Sequence, residues 1–141
     1  MIIVTVGQNN FSKAIAILKK NNLPTEDISD TTKLFAAIDN NKVLGTIGVE
    51  FYGSTALLRS FAVTEEARNK GIGNALFLFL EEFIKQNAST NMVLLTTTAA
   101  EYFAKKGFEK IEREKTPAEI KDRSEFTATC PSSAIVMKKD L

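Results

Sequence analysis

Residues 72–84 place the strongest constraint on how this chain folds. Apolar side chains stand at 72, 75, 76, 79, 80, 83 and 84, the spacing of one helical face, and Phe77 and Leu78 widen the stripe. A helix apolar round so much of its circumference must be covered, and the β-rich runs on either side supply a sheet to cover it. The helix opens at Gly71-Ile72-Gly73, shortly after a strand-like run at 56–63.

The rest of the chain reads consistently with that core. Residues 1–6 form a short β-rich run. Phe11, Ala14, Ile15 and Leu18 recur at helical spacing and predict an amphipathic helix that stops near Asn21-Asn22-Leu23-Pro24. Residues 25–28 read as one further helical turn. Strands are predicted at 33–38, 43–51 and 56–63, joined by Asp39-Asn40-Asn41 and by Tyr52-Gly53-Ser54-Thr55 as antiparallel hairpins. Downstream, a strand at 92–97, a short helix at 99–105 and a strand at 107–112 imply a right-handed crossover and a parallel pair. Thr116-Pro117-Ala118-Glu119 has the form of a capping box with proline at the first helical position. The helix it starts is expected to reach about Phe126, before Pro131 and a last strand at 134–137. The expected architecture is a mixed α/β sheet in one domain over residues 1–141.

Composition narrows the chemistry. The 18 Lys and Arg nearly balance 17 Asp and Glu, for a net charge of +1, so the basic excess of a nucleic-acid binder is missing. There is no histidine, and Cys130 is the single cysteine. Zinc sites, Ser-His and Cys-His triads, CxxC redox pairs and disulfide scaffolds are therefore not expected, and no metal is called for. The longest apolar stretch, residues 75–80, is far short of the ~20 residues of a membrane-spanning helix. A lone free thiol suits a reducing compartment, and a soluble cytoplasmic protein is expected.

Arg68-Asn69-Lys70-Gly71-Ile72-Gly73-Asn74 lies between a strand and the apolar helix. A helix N-terminus presents unpaired N–H groups and partial positive charge. Glycines allow close backbone approach, and Arg68 and Lys70 add full charges, so the run meets the requirements for holding a pyrophosphate. The alternative is a plain turn with solvated charges around it. The spacing is not that of a dinucleotide fold, whose third position is here Leu76, nor that of a P-loop.

The run Leu57-Leu58-Arg59-Ser60-Phe61-Ala62-Val63-Thr64, followed by Arg68, Gly71 and Gly73 at fixed spacing, resembles the acetyl-CoA signature of the GNAT N-acetyltransferases. Ala104-Lys105-Lys106-Gly107-Phe108 resembles the family's second landmark, a short helix closing in Gly-Phe. The resemblance covers essentially the whole chain. It implies that the backbone amides of Asn69, Lys70, Gly71, Ile72, Gly73 and Asn74 hold the pyrophosphate of acetyl-CoA. It also implies that main-chain groups of Phe61, Ala62 and Val63 pair with the pantetheine arm, in a gap where parallel strands ending near Val63 and Thr97 splay apart.

Acetyl transfer to an amine needs a route for the amine's proton, donors for the tetrahedral oxyanion and an acid near the departing sulfur. Many family members place a tyrosine acid four residues before the glycine of the Gly-Phe pair. That position is Phe103 here, grouped with the cofactor contacts, and Tyr102 precedes it. One residue on a helix is about 100° of rotation, so Tyr102 stands as either the acid or a packing residue. The family's asparagine in the preceding stretch corresponds to Thr96.

The Gly53-Ser54 hairpin gives a second inference. A two-residue loop pairs Glu50 with Leu57 and Gly48 with Arg59, which puts Glu50, Leu57, Arg59, Phe61 and Val63 on one face. The other face then holds Val49, Phe51, Leu58, Ser60 and Ala62. Arg59 there is placed to grip an acidic group of the acceptor, with Glu50 relaying the amine's proton through water. The alternative is a Glu50–Arg59 ion pair with no role, and a different loop length would move Glu50 to the other face.

Finally, residues 123–134, with Leu57–Val63 and Thr96-Thr97-Thr98-Ala99, resemble the branch of arsenic-resistance-associated or amino-acid N-acetyltransferases. That resemblance implies that Ser132, Ser133 and Cys130 lie near the acceptor end of the cleft. Cys130 is expected to be a small buried thiol rather than a nucleophile. The expected function is acetyl transfer from acetyl-CoA to a small amino acid or toxic analogue, by direct attack in a ternary complex. The alternatives are acetylation of a peptide or protein N-terminus, and a CoA-binding sensor without catalysis. A homodimer is a family expectation.

Overall fold

The computed structural model describes residues 1–121 and 134–141. Among them, seven strands form one mixed sheet: β1 (Ile2–Thr5), β2 (Lys33–Asp39), β3 (Lys42–Tyr52), β4 (Thr55–Val63), β5 (Asn91–Thr96), β6 (Glu109–Ile111) and β7 (Ile135–Asp140). Their order across the sheet is β1-β2-β3-β4-β5-β7-β6. The helices are α1 (Gln8–Lys20), α2 (Ile72–Gln86), α3 (Ala100–Lys105) and α4 (Ala118–Lys121). Short 3-10 turns lie at Glu65–Ala67 and Arg113–Lys115.

Local chemistry accounts for the element ends. Helix α1 buries Ala14 and Leu18. It stops where the Asn21 side chain donates to the Ile17 carbonyl at 2.8 Å and Asn22 turns left-handed at φ 59°, a conformation asparagine tolerates. Asn40 and Asn41, both at positive φ, make the β2–β3 hairpin, the geometry that matches strand twist. Gly107 closes α3 at φ 98°, where the Phe108 N–H returns to the Phe103 carbonyl at 3.1 Å. Residues 25–28 form the single expected turn, closed by the Ile28 N–H on the Thr25 carbonyl at 3.3 Å.

The main core lies between the sheet and α2 with α3, where Val49, Leu58, Leu76, Phe77, Leu80 and Phe103 meet. Leu57, Val93, Ile120 and Val136 form a smaller cluster, which joins α4 to the sheet. The cover of α2 is less complete than its composition implies. Leu78 is 53% exposed and Phe79 37%, because the sheet covers one side of the helix and no described element covers the other.

The expected β3–β4 register is present, with Gly48 opposite Arg59, Glu50 opposite Leu57 and Tyr52 opposite Thr55. It then shifts. Between Thr46 and Gly48 on one strand, and Arg59 and Ala62 on the other, β4 carries one extra residue. Ser60 sits there at φ 56°. This bulge corrects the expected alternation beyond Arg59. Phe61 and Val63 pack against the α2 core with Leu58, instead of sharing the face of Arg59.

The parallel pair is β4 with β5, and it is short: Thr55 with Asn91, Ala56 with Met92, Leu57 with Val93. Beyond Leu57 the strands part, as expected for the pair ending near Val63 and Thr97. The expectation that 92–97 pairs with 107–112 is corrected, because β7 runs between them, antiparallel to both β5 and β6. Helix α4 is described to Lys121, so its expected extension to Phe126 lies outside the described residues.

Candidate active site

Where β4 and β5 part, a cleft of about 880 Å³ opens. One wall is β4 from Leu58 to Val63, and the other runs from Leu94 through Thr96, Thr97, Thr98 and Ala99. Gly73 and Arg68 close one end, Asn21 to Pro24 cover another side, and Tyr102, Phe103 and Ala134 complete the lining. Arg59, Phe61, Ala62, Val63, Arg68, Gly73, Tyr102 and Phe103 are thus brought together from the sequence-predicted set. Asn69, Lys70, Gly71, Ile72 and Asn74 form the adjoining turn without lining the cleft. Ser132 and Ser133, with Cys130, lie outside the described residues.

The turn is built by backbone conformation. Asn69 at φ 63° and Gly71 at φ 79° fold the chain back so that α2 starts at Ile72. The first helical bond is the Ala75 N–H to the Gly71 carbonyl, at 3.0 Å. The N–H groups of Ile72, Gly73 and Asn74 precede it and have no acceptor within the helix. Ile72 is buried, so it offers the site only its main chain.

A Cβ on Gly73 would lie 3.6 Å from Val63 and 3.7 Å from both Phe61 and the Tyr102 hydroxyl, which are ordinary contacts. Packing within the protein therefore does not require glycine here. What the missing side chain leaves open is the approach from the cleft to the helix N-terminus, and this fits a phosphate-bearing group. Two side chains tie the neighbourhood together. Arg68 donates to the Val63 carbonyl (3.3 Å) and to Asn21 Oδ1 (2.9 Å), and Lys106 donates to Asn74 from the end of α3.

Helix α3 separates the two aromatic candidates. Phe103 is buried in the core, 6.0 Å from Phe61 and 5.6 Å from Phe108 between ring centroids. Tyr102 is 38% exposed and turns its hydroxyl to Gly73, with its ring 6.1 Å from that of Phe61. Partial burial raises the Tyr102 phenol above its ordinary value, so it is protonated at neutral pH. Thr96 accepts the Ala99 N–H at 3.0 Å and so shapes the turn into α3.

The far end of the cleft rests on a buried charge cluster. Arg59 has no exposed side-chain surface. Its Nη1 donates to Asp27 (2.7 Å) and Glu50 (3.1 Å), and its Nη2 donates to Asp27 (2.7 Å) and the Pro24 carbonyl (3.4 Å). Nε donates to Ser60 Oγ at 3.1 Å. All five N–H donors of the guanidinium therefore have protein acceptors. Glu50, 1% exposed, also accepts from Tyr52 (2.6 Å) and Thr32 (2.5 Å), and it does not line the cleft.

Set beside the expected roles, the Arg59 guanidinium is engaged by protein acceptors, and Glu50 is not among the described residues that line the cleft. The structure forms the ion pair and adds Asp27 as its bidentate partner. Sequence reasoning missed Asp27 and the Asn21–Pro24 wall. A lone acid in a polar turn carries no local signal, and the only trace of the wall was a helix stop.

Comparison with known proteins places these features. Residues 30–110, which contain the splayed pair, the glycine turn and α3, match the acetyltransferase (GNAT) domain. An uncharacterised N-acetyltransferase of Chlorobaculum tepidum is 36% identical over 87 residues, covering 61% of this chain and 56% of that protein. The match thus spans little more than half the length of that curated relative. In fold, the chain is similar to the Mycobacterium tuberculosis protein Rv2747 in complex with CoA, at a TM-score of 0.82 and 17% identity, over 100% of this chain and 99% of that one. It is also similar to N-acetylglutamate synthase of Neisseria gonorrhoeae complexed with coenzyme A and L-arginine. There the TM-score is 0.82 and the identity 14%, over 99% of this chain and 33% of the larger protein. With more than half its length matched by the domain family, and the family's glycine turn and strand splay both in place, the chain belongs to the GNAT acetyltransferases.

Proposed function

We propose that this protein is an acetyl-CoA-dependent N-acetyltransferase whose acceptor is the amine of a small molecule, an amino acid or an analogue of one. The observation that carries the reading is the cleft itself: it opens where β4 and β5 part and ends at the α2 N-terminus, where Gly73 brings main chain with no side chain to its lining. Acetyl-CoA supplies an activated thioester carbonyl. The N–H groups from Asn69 to Asn74 hold its pyrophosphate, with the Arg68 and Lys70 charges beside them. The β4 edge at Phe61, Ala62 and Val63, left without a β5 partner, pairs with the pantetheine arm.

Tyr102 is the group placed to return a proton to the leaving sulfur. Its phenol lies on the cleft beside Gly73, and burial keeps it protonated, the state an acid needs. Arg59 serves as a fixed part of the acceptor wall, with its charge satisfied by Asp27 and Glu50. The amine's proton is assigned to water in the cleft, which Thr96, Thr97 and Thr98 line with hydroxyls that can hydrogen-bond to it. A structural neighbour complexed with coenzyme A and N-acetyl-glutamate supports an amino-acid acceptor at the level of fold. The arsenic-resistance branch rests on sequence resemblance in residues 123–134, most of which lie outside the described residues.

The test is thiol release from acetyl-CoA across amino acids, phosphinothricin, arsenical amino acids, short peptides and polyamines. Turnover with small amino acids or their analogues supports the reading, and turnover with peptides alone replaces the acceptor class. Coenzyme A binding with no turnover on the whole panel favours a sensor, a reading supported by Phe103 at the position of the family's tyrosine.

A further inference from the structure

We propose that Thr46 is a positioning residue for the cleft: together with Arg59 it clamps Ser60 in the left-handed conformation on which the course of β4 depends. Ser60 is at φ 56°, a region where a side chain is unfavourable and glycine is usual. Two buried donors hold it there. Thr46 Oγ1 donates to the Ser60 carbonyl at 2.9 Å, and Arg59 Nε donates to Ser60 Oγ at 3.1 Å. One bond fixes the main chain and the other the side chain. Both donors lie inside the protein, with Thr46 0% and Arg59 3% exposed.

The bulge has a direct consequence for the site. The extra residue turns Phe61 and Val63 onto the α2 side, where their side chains come within 3.7 Å of the Gly73 Cβ position. Without it, alternation would carry both onto the face of Arg59 and away from the glycine turn. Thr46 pairs with Ala62 at the register shift and does not line the cleft, so any effect it has on a ligand passes through Ser60. Arg59 is a poorer probe, because removing it also strips Asp27 and Glu50 of their partner. The functional half of this inference rests on the cleft being the acetyl-CoA site.

The experiment measures coenzyme A affinity by titration calorimetry, alongside urea unfolding. The proteins are the parent, Thr46→Val, Thr46→Ser, Ser60→Gly and the double variant Thr46→Val/Ser60→Gly. Thr46→Val is expected to weaken coenzyme A about ten-fold, the size to which one left-handed residue's penalty converts. Thr46→Ser keeps the hydroxyl and the affinity. Adding Ser60→Gly to Thr46→Val restores affinity to that of Ser60→Gly alone, since glycine enters this conformation freely. The stability lost with the hydroxyl does not return, because the carbonyl at position 60 still lacks its donor. Unchanged affinity in Thr46→Val, or an equal loss with and without Ser60→Gly, overturns the proposal.

Failure of the underlying reading looks different: the parent itself would not bind coenzyme A. Amide spectra of the free proteins then decide. Displaced Phe61 and Val63 resonances in Thr46→Val that Ser60→Gly brings back support the clamp, and undisturbed resonances overturn it.

Discussion

The two ends of the cleft are built on opposite principles. The end proposed to take the donor, from Arg68 to Asn74, is made by the backbone of consecutive residues, and most of its side chains face solvent. The end proposed to take the acceptor is made by buried and half-buried side chains that arrive from several parts of the chain: Asp27 after α1, Thr32 ahead of β2, Glu50 on β3 and Arg59 on β4. At a backbone-made site, side chains change with little cost to the fold, and binding responds directly. In a buried charge cluster, each member is compensated by the others, so function and stability are changed together.

The largest expected effect breaks the acceptor end. Arg59→Ala leaves Asp27 and Glu50 without their shared partner and is expected to cost about 3–5 kcal/mol of stability, read by urea unfolding. A loss below about 1 kcal/mol would show that the cluster is not a unit.

Next is Tyr102→Phe, expected to lower kcat about 100-fold if the phenol is the acid, with acetyl-CoA affinity kept. The pH response has a definite sign. The folded phenol titrates above the unfolded value of 10.0 because burial disfavours the phenolate. Tyr102 therefore adds nothing unfavourable below pH 10, and it destabilises the fold as pH rises through the raised value. Tyr102→Phe is expected to resist alkaline unfolding better than the parent, and the parent's kcat should fall on that same alkaline limb. Identical alkaline behaviour of the two proteins would remove Tyr102 from both roles.

Gly73→Val sharpens the contrast at the donor end. A Cβ there meets only ordinary contacts, so Gly73→Ala, which adds that atom alone, is the folding control and is expected to stay within about 1 kcal/mol of the parent in stability. In Gly73→Val, coenzyme A affinity should fall more than about ten-fold, because the branched side chain occupies the approach to the helix N-terminus. A folded variant with normal affinity would move the pyrophosphate elsewhere.

The smallest effect is Arg68→Ala, whose exposed side chain is expected to change stability by no more than about 0.5 kcal/mol. Set beside Arg59→Ala, it compares two arginines of one cleft. Equal destabilisation by both would erase the distinction between the ends.

Legibility in the sequence follows the same division. The glycine turn and the start of α2 were readable because their information is local: glycines, charges and a helix start within seven residues. The β3–β4 pairing near Glu50 and Arg59 was readable for the same reason, since a two-residue turn at Gly53-Ser54 sets the register of the residues beside it. At the acceptor end, the choice between an anion grip and an ion pair stayed open. The partner that decided it, Asp27, lies 32 residues from Arg59 in the chain. Phe103 and Tyr102 were distinguished only by rotation about α3, which their packing against Phe61, Phe108 and Gly73 made definite.

By itself, then, the sequence determined the strands and main helices, both hairpin turns, the glycine turn and the mixed α/β class. Each depends on φ preferences and hydrophobic periods that a few neighbouring residues carry. Tertiary structure alone decided the bulge at Ser60, the partners of Arg59, the place of β7 between β5 and β6, and the exposure of Leu78 and Phe79. A serine held left-handed by a threonine 14 residues away has no local signature. Strand order and helix cover likewise depend on which distant segments reach a surface, and no window of the sequence contains both partners.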